Sequence, residues 1–205
     1  MIRSVDFFYG LGSRYSYLAS TQIAQLEADT GCRVRWRPLY SADLFAARGL
    51  DPFKGQPVSG QYDWAYRRCD AERWGAYYGV PYREPERVRF DPRRLALAST
   101  AAASLGAVEP FSRRVFQALF VDGTSPLDDA VCARLAREIG LDEDDFRAAL
   151  RHPETAAGLA ATVEEAAARG LFGVPSFLVG DEVYFGNDRL PLLRHALLQD
   201  RHNGI

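Results

Sequence analysis

Val5-Asp6-Phe7-Phe8-Tyr9-Gly10-Leu11-Gly12-Ser13-Arg14-Tyr15-Ser16 is the stretch that decides the fold. Its first five residues form a mostly apolar run, the pattern of a largely buried strand. Gly10-Leu11-Gly12 then leads the chain into a helix. Tyr15, Ala19, Ile23 and Leu26 recur at spacings of 4, 4 and 3, which predicts one amphipathic helix ended by Thr30-Gly31. Arg33-Val34-Arg35-Trp36-Arg37 alternates polar with apolar, so it reads as a strand with one buried face, closed by Pro38. Strand, helix and strand make a βαβ unit of the right size to set two parallel strands side by side.

Beyond it the character changes. Gly49 to Tyr62 is rich in glycine, proline, glutamine and serine and reads as a long loop, the kind that serves as a lid or binding loop. From Asp63 an alanine-rich stretch predicts helices over Asp63–Tyr78, Pro92–Leu105, Pro110–Val121, Leu127–Ile139, Glu143–Arg151 and Pro153–Arg169. Asp91-Pro92 and Ser125-Pro126 read as helix starts. After Gly170 strands return at Ser176–Val179 and Glu182–Phe185, joined by the two-residue turn Gly180-Asp181. A last helix is expected over Arg189–Gln199, capped by Asn187 or Asp188. The fold class is therefore α/β: a β-α-β … β-β-α domain over residues 1–41 and 171–205, interrupted by a large all-helical insertion over 42–170.

The 205 residues suffice for one large domain, or for a domain with an insertion. With 25 basic against 27 acidic residues, the net charge of −2 attracts neither nucleic acid nor an anionic membrane. Met1-Ile2-Arg3-Ser4 runs straight into a strand without a signal-peptide pattern, and no apolar run reaches the ~18 residues of a membrane span. Cys32, Cys69 and Cys132 are odd in number and widely spaced, which suits a reducing compartment; a cytoplasmic protein is expected. They form no zinc motif, and His152, His195 and His202 form no ligand cluster, so no metal is expected. His195, alone in the last helix, reads as structural or solvent-facing.

Three features carry chemistry. Ser13 and Ser16 stand at a strand-to-helix junction where redox proteins place Cys-x-x-Cys. The site then handles a thiol it does not own. Ser13 has two readings. One is a helix N-cap, with Ser16 at the third helical position. The other is a thiolate partner, because a helix N-terminus offers free N–H groups and partial positive charge to an anion. Val174-Pro175 either merely opens a strand or is a cis proline whose neighbour Val174 presents its backbone to an extended peptide. Asn187-Asp188 either caps a helix or binds an α-amino acid head group, with helix N–H groups for its carboxylate and Asp188 for its ammonium. Taken together these divide a glutathione molecule: Asn187/Asp188 at the γ-glutamyl end, Val174 at the cysteinyl backbone, Ser13 at the sulfur.

On these motifs the chain resembles the 2-hydroxychromene-2-carboxylate isomerases, relatives of the kappa-class glutathione transferases with a DsbA-like thioredoxin fold. The likeness rests on Asp6-Phe7-Phe8, Ser13-Arg14-Tyr15-Ser16-Tyr17-Leu18-Ala19, Gly173-Val174-Pro175-Ser176-Phe177 and above all Phe185-Gly186-Asn187-Asp188-Arg189-Leu190. Asp70 and Arg73-Trp74 match a helical segment of the same family. The resemblance implies Ser13 as the residue activating the glutathione sulfur. It implies Val174, Phe185, Gly186, Asn187 and Asp188 as glutathione contacts. It also implies a homodimer.

The departures lie elsewhere. Arg14 stands where the family usually has proline, and would add positive charge beside the thiolate. Phe45-Ala46-Ala47-Arg48-Gly49-Leu50 replaces Phe-Lys-Ala-Thr-Gly-Asn, so the Lys and Asn that contact the aromatic acid are lost to Ala46 and Leu50. A family Tyr appears as Phe90. Arg14, Arg48 and Phe90 are the candidates for binding a substrate in this altered half. The implied activity is a glutathione-dependent isomerase acting on a small aromatic or conjugated ketoacid by reversible thiolate addition. A kappa-like glutathione transferase or peroxidase, and a glutathione-binding DsbA-like protein with another substrate, are the alternatives.

Overall fold

The structure, a computed structural model, describes residues 3–50, 63–84 and 89–202. Most of the loop expected over Gly49–Tyr62 lies outside these residues. Strand β1 (Ser4–Tyr9) leads into helix α1 (Arg14–Thr21), α2 (Ile23–Thr30) and β2 (Arg33–Pro38), followed by α3 (Ser41–Ala47). The helical stretch comprises α4 (Trp64–Tyr78), α5 (Pro92–Ser104), α6 (Val108–Phe120), α7 (Asp129–Glu138), α8 (Glu143–Arg151) and α9 (Pro153–Ala168). The chain ends with β3 (Ser176–Val179), β4 (Glu182–Phe185), a 3-10 turn over Asn187–Arg189 and α10 (Leu190–His202).

The strands form one sheet in the order β2-β1-β3-β4. β1 and β2 are parallel, as the βαβ reading requires, with Phe7 opposite Trp36. β1 and β3 run antiparallel, Phe7 opposite Phe177, and β3 turns back antiparallel to β4 through Gly180. Central β1 is buried on both faces. Val5, Phe7 and Tyr9 face a large core shared with Leu18, Ile23, Trp36, Leu95, Phe111 and Phe116. Phe8 belongs to a smaller cluster with Leu39, Leu44, Val163, Ala166 and Leu178, so α3 and α9 cover the other face. Period-2 alternation along one strand thus builds two layers. The large core runs without interruption from the sheet into the helical stretch. Within it the Tyr9 hydroxyl bonds Ser99 Oγ at 2.7 Å and Ser112 Oγ at 2.6 Å, tying β1 to α5 and α6.

Several elements depart from the sequence reading. The single helix expected across Tyr15 to Leu26 is two, broken at Gln22. The Ser20 and Thr21 hydroxyls bond carbonyls three residues back, and the Gln22 N–H takes Ala19 O at 3.1 Å, tightening the turn. Helix α3, but for its first residue Ser41, falls within the span expected to be helical, although no individual helix is expected there. Pro126 does not open a helix: Ser125-Pro126 is cis, Leu127 bridges to Phe90, and α7 begins after its cap Asp128, whose Oδ1 accepts the Val131 N–H at 2.9 Å. Asp91 does cap α5 with Pro92 at its start, and Asp63 caps α4. His195 is exposed, and His152 caps α9.

Candidate active site

Ser13 sits in extended geometry (φ −93°, ψ 117°) at the end of the β1–α1 loop, and its Oγ accepts the Ser16 N–H at 3.2 Å. The cap reading therefore holds. It does not exhaust the residue, because a hydroxyl that accepts one bond keeps its own proton to donate. Ser16 differs: it is fully buried, and its Oγ turns back to the Gly10 N–H at 3.4 Å. The Ser13 N–H closes the loop onto Gly10 O at 2.9 Å. A Cβ on Gly10 would lie 3.4 Å from Val174 Cγ2, so the loop rests against the second motif.

Val174-Pro175 is cis. The Pro175 carbonyl is taken by the Gly186 N–H at 2.9 Å, and the Gly173 carbonyl by the Ser176 hydroxyl at 2.8 Å. Among the described residues, the Val174 N–H and C=O are in no hydrogen bond, which leaves them for an extended ligand. Gly186, at φ +106°, carries the chain from β4 into the 3-10 turn, a conformation that favours glycine. That turn brings Asn187 inward: the residue is 3% exposed, and its Nδ2 is buried with no partner. The Asn187 carbonyl accepts the Tyr78 hydroxyl at 3.1 Å. Asp188 remains accessible, paired with Arg189 at 3.3 Å.

These residues face one open cleft of about 650 Å³, lined by Val174, Pro175, Phe185, Gly186, Asn187 and Asp188 on one side. The other side is Tyr15 of α1 and Tyr66, Arg67, Asp70 and Trp74 of α4. The structure thus gathers every residue expected at the glutathione backbone and head group. Ser13 itself does not line the cleft; it stands two residues before Tyr15, which does.

The three residues expected on the substrate side lie apart from the cleft. Arg14 is locked to Glu84 at 2.6 Å, with side chains 11% and 14% exposed. That contact engages Nη2, and Nη1 is buried without a partner. Arg48 turns its Nη1 to the Leu171 and Ala167 carbonyls at 3.4 and 3.5 Å, at the end of α9. Phe90 packs against Gly12, where a Cβ would come within 2.5 Å of its ring.

The sequence reading missed the α4 wall, apart from the resemblance that marks Asp70 and Trp74. Tyr66, Asp70 and Trp74 are spaced by one helical turn, so they share a face. Nothing local says what that face meets. Tyr15 donates its hydroxyl to Asp70 Oδ2 at 2.8 Å. Burial, followed by that bond and the Asp70 charge, pushes the Tyr15 hydroxyl up to about 12, so it stays a donor at neutral pH. Burial likewise pushes the Cys132 thiol up to about 12 and raises that of Cys32, and neither lines the cleft. Among the described residues no cluster fits a metal, and no helix is long and apolar enough to cross a membrane.

Close packing at the cleft rim makes a prediction. A Cβ at Gly173 would lie 2.7 Å from the Phe185 ring, the far end of a 40% exposed side chain that otherwise packs on the Phe172 ring at 4.7 Å. Gly173→Ala should lower the melting temperature by no more than a few degrees, since the ring moves rather than the backbone. A crystal structure of the variant with Phe185 unmoved would contradict this.

The sequence pattern of the DSBA-like thioredoxin domain matches residues 4–198. The 2-hydroxychromene-2-carboxylate isomerase of Sphingobium xenophagum is 29% identical over 198 residues, 97% of this chain and 100% of that protein. The isomerase of the same name from Pseudomonas putida is 27% identical over 193 residues, 94% of this chain and 93% of that protein. A solved structure of 2-hydroxychromene-2-carboxylate isomerase superposes with a TM-score of 0.83 at 26% identity, covering 98% of both chains. The cytosolic disulfide reductase DsbM of Pseudomonas aeruginosa shares the fold, with a TM-score of 0.63 at 20% identity over 98% of this chain and 99% of its own. With a domain pattern running from the first strand into the last helix, the chain belongs to the DSBA-like thioredoxin family and is similar over nearly its whole length to 2-hydroxychromene-2-carboxylate isomerases.

Proposed function

We propose that this protein is a glutathione-dependent isomerase of the 2-hydroxychromene-2-carboxylate type, acting on a small conjugated ketoacid. The relatives that carry that name support the isomerase activity. The observation that carries the glutathione part is Asn187: a buried amide nitrogen without a partner, in a cleft beside unpaired Val174 backbone groups. A buried donor left unmade is costly, so a ligand acceptor there would relieve it. DsbM has itself been solved with GSH, so the fold has held this tripeptide elsewhere.

In this reading Val174 pairs in a β-like manner with the cysteinyl backbone. Asn187 donates its free amide to the γ-glutamyl end, and Asp188 takes the ammonium. The first turn of α1 presents N–H groups and partial positive charge near the sulfur, and Ser13 donates its hydroxyl proton to it. Glutathione supplies a thiolate that adds reversibly to a conjugated carbonyl compound, lets the former double bond rotate, and leaves unchanged. Neither Ser13 nor Ser16 can form a disulfide, which disfavours thiol–disulfide exchange at this junction.

Glutathione should raise the melting temperature by linkage, with about 2.7 kcal/mol of added stability at a hundred times the dissociation constant. Asn187→Ala with Asp188→Ala should remove most of that shift. Absence of calorimetric binding to the native protein at millimolar glutathione would sink the reading. A transferase using the same cleft is the second reading. Stoichiometry separates the two: an isomerase leaves the glutathione concentration unchanged, a transferase consumes it.

A further inference from the structure

We infer that Arg67 is the carboxylate anchor of the cleft, a specificity-determining residue that holds an acid group against its aromatic wall. The inference rests on the proposed isomerase reading for what the acid belongs to, but not for the contact itself.

An acidic ligand in a cleft lined by Asp70 and Asp188 needs a cation. Arg14 pairs through Nη2 with Glu84, leaves Nη1 buried without a partner and does not line the cleft, and Arg48 turns to backbone carbonyls of α9 and the segment after it. Among the described residues, Arg67 is the one arginine lining the cleft. Its guanidinium carbon lies 5.5 Å from the Tyr15 ring centre and 5.3 Å from that of Trp64. Stacking on rings holds a guanidinium in place; the Arg67 side chain also bonds the Tyr15 hydroxyl oxygen, and its five donors leave others for a ligand.

No ion pair joins Arg67 to a carboxylate among the described residues, whereas Arg35, Arg94, Arg113 and Arg114 each have one. Asp70, one turn along the same helix, accepts the Tyr15 hydroxyl at Oδ2 at 2.8 Å. Tyr15 therefore supports the guanidinium with its ring and its hydroxyl oxygen, and occupies one oxygen of Asp70. A half-buried arginine kept open beside Tyr66, Trp74 and Phe185 is matched in chemistry to an aromatic or conjugated carboxylate.

The acid could come from glutathione or from the second substrate, and two calorimetric arms separate these sources. The first titrates 1-naphthoate against neutral 1-naphthamide; the second titrates glutathione against its glycyl ethyl ester. In the arm that carries the true source, native protein should favour the acid by about tenfold or more. Arg67→Met, which keeps the stem, should abolish that preference, and Arg67→Lys should retain part of it. No acid preference in either arm of the native protein overturns the inference, as does a preference that Arg67→Met leaves intact. Naphthoate selectivity without any glutathione binding would keep the anchor and discard the glutathione reading.

Discussion

Ser13→Ala is expected to slow turnover about tenfold at pH 7 and to lose less as the pH rises. A free thiol has a pKa of ~8.5. One charge-assisted hydrogen bond contributes roughly 1.5–3 kcal/mol, or about one to two pKa units in favour of the thiolate. Removing the hydroxyl should therefore move the bound thiol back toward its free value and empty most of the thiolate population at neutral pH. Above the free pKa the thiolate forms without help, so native and variant rates should converge. The variant also loses the cap on the Ser16 N–H, at a cost of ~1 kcal/mol in stability.

Ser13→Asp separates the two roles. Aspartate is a good cap, so stability should return, but its charge beside the sulfur should depress activity further. The decisive measurement is the ultraviolet absorbance of bound thiolate against pH. Superimposable titrations of native and Ser13→Ala protein would leave Ser13 as a helix cap and nothing more.

Phe7→Ala should be the most destabilising of the changes considered, at about 3–5 kcal/mol. Phe7 is fully buried, stacked on Tyr9 at 5.1 Å and on Phe177 at 4.9 Å, with Trp36 edge-on at 5.1 Å. It sits on β1, held on both edges by β2 and β3, so the backbone has little freedom to collapse into the cavity. Phe7→Leu, which keeps most of the volume, should cost far less. Urea unfolding monitored by circular dichroism would read both values. A loss below about 1 kcal/mol for Phe7→Ala would mean that the two core layers repack around the gap.

Much of this was readable locally. Strand β1 followed from its apolar run and β2 from its alternation. Asp63 and Asp91 marked the starts of α4 and α5, because a cap acts within one turn of its own residue. The turn at Gly180 followed from residue types that tolerate positive φ. The break between α1 and α2 was not readable, since the choice of Ser20 and Thr21 to bond backward only tips a balance that packing sets. Helix α3 was too short for periodicity to reveal.

The sequence by itself determined the order of strands and helices, the serine where a cysteine pair would stand, and the motifs at Val174 and Asn187. All of these are written in contiguous residues, where propensity and spacing act within a turn or two. Only the tertiary structure decided which charges are spent and which remain available. Arg14 reaches Glu84 across 70 positions, Arg48 reaches the Leu171 carbonyl across 123, and Tyr15 reaches Asp70 across 55. Such partners are chosen by the packing of α4 against α1 and of α9 against α3, not by local sequence. That packing is why, among the described residues, the cleft acquired an aromatic wall with Arg67 in it.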